Sequence, residues 1–285
     1  MIALVTDSNS QIPPELRDRF GVRVVPLTIV LGGEPFKEGV DLTTNGFYER
    51  LAAGAEVSTA APSPGDVLRT YEEAAATGAT EILSVHIGSN ISATVNSVRV
   101  AAGGSPVPVE VVDTGTASFA VACCVWAAGD ALAAGADLGH AADAARAAAG
   151  RVGNVFVVGA LDLARRGGRL PAQVAAGNGI PVLALAGGLM QPVARVHDVD
   201  AAVEAMTGYV RTTAGGVPQR VGVGAALAPE LEAAFTNRLR ELVEVAELVR
   251  YELGPSVGAH TGPGTVGACF FPAAPELLAP PPVLG

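Results

Sequence analysis

Hydroxyl and carboxylate side chains cluster directly after three apolar runs of the sequence. Residues 7–10 are Asp-Ser-Asn-Ser, residues 88–94 are Gly-Ser-Asn-Ile-Ser-Ala-Thr, and Asp113 and Thr114 follow a further apolar run. In an open α/β sheet, ligands bind beyond the carboxyl ends of the strands, where helix N-termini also point amide donors. These residue types in these positions therefore predict a hydroxyl-rich edge that is suited to binding an anion.

Each cluster also has a purely structural interpretation. Ser and Thr residues that follow a strand are ordinary helix caps, and Asp7 and Asp113 can accept hydrogen bonds from loop amides. Residues 167–168 are Gly-Gly with an arginine on each side, which suits either a tight turn or an anion site. The run 258–267 places four glycines around His260. We expect this run to be a loop whose backbone can approach a ligand closely.

An enzyme would need an activated group, and the four histidines offer few candidates. His86 lies inside a predicted strand, His140 lies on an alanine-rich helix, and His197 follows a strand, which leaves His260 as the one predicted to lie in a loop. Nucleophile-elbow, Walker, zinc-protease and dinucleotide-binding motifs are absent from the sequence. Ser92 with His260 as its base is the constellation that the residues leave open. It would suit a hydrolase or transferase of small acyl or phosphoryl substrates, and a ligand-binding regulator is a further alternative.

Composition narrows the classes of partner. The 285 residues include 18 basic and 28 acidic side chains, which gives a net charge of −10, and only 5% are aromatic. Nucleic-acid binding requires clustered basic residues or aromatic stacking platforms, so we expect no nucleic-acid partner. The longest uncharged stretch, 170–194, is interrupted by prolines and glycines, and we expect no membrane span.

The first residues and the cysteines favour the cytoplasm. The chain reaches Asp7 without a basic segment, which is typical of a strand and not of a signal peptide. Cys123 and Cys124 lie in an apolar helical run, and Cys269 lies in an apolar strand. This spacing matches neither a disulfide framework nor a zinc site, so we expect three buried thiols and no metal.

The hydrophobic pattern predicts two α/β domains. In residues 1–153, short apolar runs such as 2–6, 22–31 and 81–87 alternate with helical periods, which indicates a parallel sheet flanked by helices. In residues 154–285, glycines and prolines separate short strands, and two helical patterns follow. We expect this second domain to be smaller and to hold a mixed sheet with helices.

Seven segments, in their order and spacing, resemble the DegV family of bacterial lipid-binding proteins, which includes the fatty-acid-binding subunits of bacterial fatty acid kinases. The resemblance covers essentially the whole chain. The segments are Val-Thr-Asp-Ser (5–8), Thr-Ala-Ala-Pro-Ser (59–63), His-Ile-Gly-Ser-Asn-Ile-Ser-Ala-Thr (86–94), Val-Val-Asp-Thr (111–114), Arg-Arg-Gly-Gly-Arg (165–169), Val-Ala-Arg (193–195) and Ala-His-Thr-Gly-Pro-Gly (259–264).

The resemblance implies that the two domains enclose a long-chain fatty acid in an apolar tunnel. Thr59 and Ser92 would hold its carboxylate, with Arg169 and His260 as neighbours from the second domain. Residues farther from the head group would be Ser63, Ser89, Thr94, Asp7 and Arg195. The sequence departs from the family pattern at Ala60, Ala61, Ala93 and Gly179, where the family often has Ser, Gln, Gly and Lys, so the surroundings of the head group are less polar than is usual.

The resemblance further implies a role as a carrier. The chain would present the carboxylate to a separate ATP-dependent fatty acid kinase, which would form an acyl phosphate for phospholipid synthesis. The chain itself would have no catalytic residue and no cofactor, and its ligand would be the fatty acid. Burial of the tail would supply most of the affinity, since each methylene contributes up to about 0.8 kcal/mol.

Overall fold

The computed structural model describes residues 1–166 and 178–273, and within these ranges the chain forms three β-sheets with helices packed against them. The strands are β1 (Ile2–Asp7), β2 (Arg23–Val25), β3 (Thr28–Leu31), β4 (Glu34–Lys37), β5 (Val57–Ala60), β6 (Glu81–His86), β7 (Val109–Asp113), β8 (Gly153–Val157), β9 (Ile180–Ala186), β10 (Leu189–Val196), β11 (Gln219–Ala225), β12 (Val245–Glu252) and β13 (Val266–Pro272). The helices are α1 (Pro14–Phe20), α2 (Thr44–Ala52), α3 (Pro64–Ala76), α4 (Thr94–Ala102), α5 (Phe119–Ala133), α6 (Leu138–Ala149), α7 (Leu161–Arg166), α8 (Val199–Ala214), α9 (Pro229–Arg240) and α10 (Pro255–Thr261), and a short 3-10 turn spans Ser8–Ser10.

The first sheet has four parallel strands in the order β2-β1-β6-β7. Its strands are apolar on both faces because helices cover both sides. Side chains of α3 and α4 pack on one face, and α5 and α6 pack on the other. All four strands therefore end at the same edge, and the polar clusters that follow β1, β6 and β7 share that edge. This confirms the predicted parallel sheet flanked by helices.

The predicted strand at 22–31 is wrong as a single element. Residues Arg23–Val25 pair with β1 in the parallel sheet, whereas Thr28–Leu31 pair with β4 and β5 in a separate antiparallel sheet. Pro26 lies between the two strands, and a proline cannot donate a ladder hydrogen bond. The chain changes sheets at this proline, and the small sheet places Thr59 opposite Ile29.

The second half of the chain forms a six-stranded mixed sheet in the order β10-β9-β8-β13-β11-β12. Only β11 and β12 are parallel among its described pairs. Helices α8 and α9 pack on one face, against an apolar layer that includes Val221 and Phe270. The predicted mixed sheet with helices is confirmed. This half has fewer residues than the first half, as expected, but its sheet has six strands and is larger than the four-stranded parallel sheet.

Helix α5 joins the two halves into one core. Eleven of its fifteen residues are buried, and it carries apolar side chains on every side. It packs on β1 and β6 of the first sheet and on β13 of the second. Trp126 of this helix meets Phe271 edge-to-face at 5.7 Å between ring centroids. Cys123 and Cys124 lie here, and all three cysteines are free and buried, as predicted.

The strands separate by sequence on either side of residue 153. Every strand of the first two sheets ends by Asp113, and β8 begins the mixed sheet at Gly153. The division into domains 1–153 and 154–285 stays a prediction, and Gly153 is the point in the sequence at which the strands of the mixed sheet begin. Across the described residues, none of the helices combines the length and the apolar character needed to cross a membrane.

Candidate functional site

A cavity of about 470 Å³ lies between the carboxyl edge of the parallel sheet and the inward face of the mixed sheet. From the first half it is lined by residues that follow β1, β6 and β7, together with the end of β5. From the second half it is lined by strands of the mixed sheet and by α10. The volume falls within the range of about 300–1,000 Å³ that is usual for ligand pockets.

One face of the mixed sheet forms the cavity floor. Directly paired residues lie on the same face of a sheet, and the registers pair Met190 with Leu185, Phe156 with Gly267, Gly267 with Gly224, and Gly224 with Tyr251. These six residues all line the cavity. The floor therefore has apolar side chains at one end, glycines in the middle and an aromatic ring at the other end.

The glycine at 224 allows Tyr251 to lie flat on the sheet. A Cβ at this position would come within 2.3 Å of the Tyr251 ring. The ring stacks on Phe119, with 4.4 Å between centroids and 13° between planes, and Phe119 in turn covers Gly222. Burial raises the pKa of the Tyr251 hydroxyl well above its usual value. Tyr251, backed by Phe119, therefore gives this end of the floor an uncharged aromatic surface.

Thr59 and His260 meet at the cavity lining. Thr59 lies near the end of β5, and its Oγ1 is 3.3 Å from Nε2 of His260. Both side chains are partly buried and both line the cavity. The structure thus brings together one residue from each half, as the resemblance implied.

The expectation that His260 lies in a loop is wrong, because it occupies the last turn of α10. Pro255 stands at the first helical position, where its fixed φ favours a helix start. Residue 258 lies inside the helix and is a glycine because a Cβ there would come within 2.4 Å of the Tyr48 hydroxyl on α2. The helix ends at Gly262, whose φ is +73°. At least one of the glycines that suggested a loop is therefore explained by close packing between α10 and α2.

Ser92 lines the same cavity from the turn between β6 and α4. Its Oγ lies 2.9 Å from Thr94 Oγ1 and accepts a hydrogen bond from the Thr94 backbone N–H at 3.3 Å. Thr94 is fully buried, so this pair fixes the start of α4. In the described part of the chain, the hydrogen-bond partners of Ser92 Oγ are these two groups of Thr94 and not His260.

Asp7 does not line the cavity but holds two loops that do. Its Oδ1 accepts from the backbone N–H of Asn9 at 3.1 Å, and its Oδ2 accepts from that of Ile87 at 3.0 Å. Asn9 and Ile87 both face the cavity. The Asp7 carboxylate thus ties the loop after β1 to the loop after β6.

The same carboxylate begins a buried polar chain that the sequence analysis missed. Asp7 Oδ2 is 2.9 Å from His86 Nδ1, His86 Nε2 is 2.7 Å from Ser84 Oγ, and Ser84 Oγ is 2.8 Å from the Tyr71 hydroxyl. All four side chains have no exposed surface, and burial raises the pKa of Tyr71 to about 12. Hydrolase triads also link Ser, His and Asp by hydrogen bonds, but the nucleophile of a triad must contact the substrate, and Ser84 is fully buried. This chain of hydrogen bonds is therefore structural, and only the polar alternation of Ser84 and His86 within β6 pointed to it.

Two further lining residues were also missed by the sequence analysis. Ser118 has φ +60° and ψ −152°, a conformation that is normally reserved for glycine. Its backbone N–H donates to Asn9 Oδ1 at 2.8 Å, which helps to hold this conformation at the start of α5. Asn154 on the floor exchanges two hydrogen bonds with the backbone of Leu185.

The remaining predicted residues lie farther from the cavity. Ser63 is an exposed N-cap of α3 and accepts from the Asp66 backbone N–H at 3.1 Å. Ser89 is exposed, and its backbone N–H donates to Asp113. Arg195 is an exposed residue of β10 whose guanidinium approaches the Gly179 carbonyl at 3.4 Å. Arg169 lies outside the described residues.

Chemically, the cavity suits an amphiphile. Its floor is uncharged and mostly apolar, and its polar lining consists of hydroxyls, amides and one imidazole, which can donate hydrogen bonds to an anionic group. Within residues 1–166 and 178–273, no group of three or more His, Cys, Asp or Glu side chains is placed to hold a metal ion.

Comparison with known proteins places this fold in a family. The sequence model of the family described as "Uncharacterised protein, DegV family" matches residues 1–273. The chain belongs to the DegV family. A DegV domain-containing protein of Streptomyces coelicolor is 36% identical over 271 residues, covering 93% of this chain and 96% of the relative.

Solved structures of DegV family proteins share the architecture. A fatty-acid-binding DegV family protein from Thermus thermophilus is 34% identical and superposes with a TM-score of 0.87, covering 95% of this chain and 99% of that chain. DegV of Bacillus subtilis, a fatty acid binding protein, has a TM-score of 0.84 at 24% identity over 95% of this chain and 99% of its own, which shows the shared fold. The resemblance that the motifs predicted is thus confirmed.

Proposed function

We propose that this chain binds one long-chain fatty acid, with the tail in the cavity and the carboxylate held by Thr59, Ser92 and His260. Arg169 is proposed as a further contact to the head group. The observation that carries the proposal is the cavity itself, which combines an apolar floor with the Thr59 and His260 pair on its lining. The fatty-acid-binding relative from Thermus thermophilus supports the same ligand class.

The energetics of such a ligand fit the cavity. Burial of a 16-carbon tail supplies on the order of 10 kcal/mol before ordering costs, at up to about 0.8 kcal/mol per methylene. Each charge-assisted hydrogen bond to the carboxylate adds about 1.5–3 kcal/mol and fixes which end of the ligand faces Thr59. The tail thus supplies affinity, and the polar lining supplies orientation.

We further propose that the chain is a cytoplasmic, non-catalytic carrier. A serine nucleophile needs a base within hydrogen-bond reach, whereas Ser92 is paired with Thr94. The sequence contains no Walker loop for ATP. From the resemblance to the fatty-acid-binding subunits of bacterial fatty acid kinases, we propose that a separate ATP-dependent kinase converts the presented carboxylate to an acyl phosphate for phospholipid synthesis.

The first test is extraction of protein that has been purified from a bacterial host, followed by mass spectrometry. We expect roughly one acyl chain per protein. After delipidation, Ser92→Ala should weaken binding of added fatty acid, whereas Ser97→Ala, which changes a residue of α4 outside the cavity lining, should not. Finding no lipid and no uptake would refute the proposal. Turnover of acyl esters that is lost in both Ser92→Ala and His260→Ala would instead favour the hydrolase or transferase.

A second arm tests Arg169 by thermal unfolding, because a ligand that binds only the folded state raises its stability. Added fatty acid should shift the midpoint of the native chain upward, and Arg169→Ala should reduce that shift. Arg165→Ala is the matched control, since Arg165 is exposed and pairs with Asp162 one turn away on α7. Equal losses from both substitutions would show that the loop acts through general charge.

A further inference from the structure

Helix α10, which carries His260, begins without a capping side chain of its own. Its N-cap residue is Gly254, and Pro255 at the first helical position has no N–H. The first backbone N–H groups of a helix have no partner within the helix, and a side chain at the N-cap normally accepts from one of them. Here the partner has to come from elsewhere in the chain.

The first half of the chain supplies that partner. Glu38, which follows β4, accepts from the backbone N–H of Ser256 through Oε1 at 2.8 Å. Its other oxygen accepts from the Ser8 hydroxyl at 2.5 Å. Gln11 Oε1 accepts from the Gly254 N–H at 2.6 Å. Two side chains of the first half thus cap a helix of the second half.

Glu38 is placed for this task although its burial is costly. Only 7% of the residue is exposed, and desolvation raises its pKa above the usual value. Its negative end faces the N-terminus of α10, where the backbone dipoles favour an anion. Hydrogen bonds from Ser256, Ser8 and Gln11 offset part of the cost of burying this carboxylate.

The glycine at position 254 is consistent with this capping by side chains of the first half. Gly254 has φ −75° and ψ −179°, an extended conformation that other residues adopt freely. A Cβ there would lie 2.9 Å from Glu38 Oε1 and 3.0 Å from Gln11 Oε1. The glycine therefore leaves room for the two side chains that reach in from the first half, whereas its backbone conformation does not call for a glycine.

The cap acts on the cavity through the helix. Ser256 and His260 are four residues apart, so they lie on one face of α10, and both line the cavity. We propose that Glu38 is a positioning residue for the head-group site: by capping α10 from the other half of the chain, it sets His260 opposite Thr59. This inference rests on the proposed fatty-acid function.

The test is a rescue experiment on delipidated full-length protein, with palmitate as the probe. Glu38→Ala should weaken palmitate affinity about tenfold, as expected for loss of one helix cap. Gly254→Ser alone should also weaken it, because its side chain collides with Glu38. In the double variant the contact with Glu38 is gone, the Gln11 side chain has space to move aside, and the serine can cap α10 directly. The double variant should therefore bind within about threefold of the native chain.

Asp130→Asn is the matched control, because it also changes a carboxylate to its amide at the contact between the halves. Asp130 on α5 pairs with Arg220 on β11, away from α10. This variant should lower the thermal midpoint but leave palmitate affinity unchanged. With only four histidines in the chain, the imidazole NMR signals of His260 can be followed individually. Glu38→Ala should shift them in the ligand-free protein, and Asp130→Asn should not.

Two results would overturn the inference. One is a double variant that binds no better than Glu38→Ala, and the other is a Glu38→Ala protein with native affinity and unshifted His260 signals. If Glu38→Ala does not fold, Glu38→Asp is the second variant, because its side chain is one methylene shorter and draws the carboxylate away from the Ser256 N–H. It should weaken palmitate binding and shift the His260 signals, and native affinity with unshifted signals would refute the role of Glu38. If the native chain fails to bind palmitate, the proposed function fails, while the His260 signals still decide whether Glu38 positions α10.

Discussion

Replacing Thr59 with valine removes one hydroxyl from the proposed head-group site and changes little else. Valine has nearly the shape of threonine and is equally stiff at χ1, so β5 should keep its pairing with β3. The lost contact to His260 spans 3.3 Å, which is long for a hydroxyl hydrogen bond and therefore weak. Without ligand, we expect Thr59→Val to lower the free energy of unfolding by less than about 1 kcal/mol, or a few degrees in the thermal midpoint.

With ligand, the same change should be large. A hydrogen bond to a carboxylate contributes about 1.5–3 kcal/mol, which corresponds to a loss of affinity of about 10- to 150-fold. Calorimetric titration of delipidated protein with palmitate measures this directly. Thr59→Ser keeps the hydroxyl and should retain most of the affinity. Ser58→Ala, on the exposed opposite face of β5, is the control and should bind normally.

The reasoning would be refuted if Thr59→Val bound palmitate within twofold of the native chain, or if Thr59→Ser were as weak as Thr59→Val. The first result would remove Thr59 from the head-group contacts. The second would show that packing around β5 controls binding, and not the hydroxyl.

Two further predictions follow from shifted pKa values. Lys37 lies 2.7 Å from Asp66 and lowers the pKa of that carboxyl from 3.8 to about 2, so the pair stabilises the fold above about pH 4 and the stability is lost as the pH falls towards 2. After allowance for solvent screening, Asp66→Asn should cost about 1 kcal/mol in urea unfolding at pH 7 and little near pH 2, and an equal cost at both pH values would contradict this. Burial raises the pKa of Cys269 to about 12, so this cavity-lining thiol should resist iodoacetamide at pH 8 until urea is added, as read by peptide mass spectrometry. Rapid alkylation of the folded protein would show that solvent reaches the floor.

The sequence was sufficient to predict the parallel sheet but not the sheet beside it. The runs Ile2–Asp7 and Glu81–His86 contain consecutive apolar residues, at 2–5 and 82–83, and five of the six residues in each run are buried, which is the pattern of strands covered on both faces. The segment 22–31 has the same composition, yet Pro26 divides it between two sheets. Which partner each piece finds depends on tertiary pairing, and local propensity carries no information about it.

The residues of the candidate site could be predicted from the sequence, but the helix and the hydrogen bonds that position them could not. Thr59, Ser92 and His260 were identified from motif order, and they all line one cavity. The helical setting of His260 was missed because the glycines around it suggested a loop, whereas Gly258 serves the contact with Tyr48. Asp7 and His86 were seen separately, but their hydrogen bond depends on the alignment of β1 with β6.

The cavity forms where the loops that follow the parallel strands of the first half face the mixed sheet of the second half. The loops after the parallel strands bring hydroxyls and amides, as the carboxyl edge of any such sheet allows. The mixed sheet brings a floor in which Gly224 and Gly267 leave room between larger side chains. The cavity is lined from both halves, so some of the contacts that hold the halves together also shape the site. Glu38 is one such contact, since it belongs to the first half by sequence and to the His260 helix by its hydrogen bond.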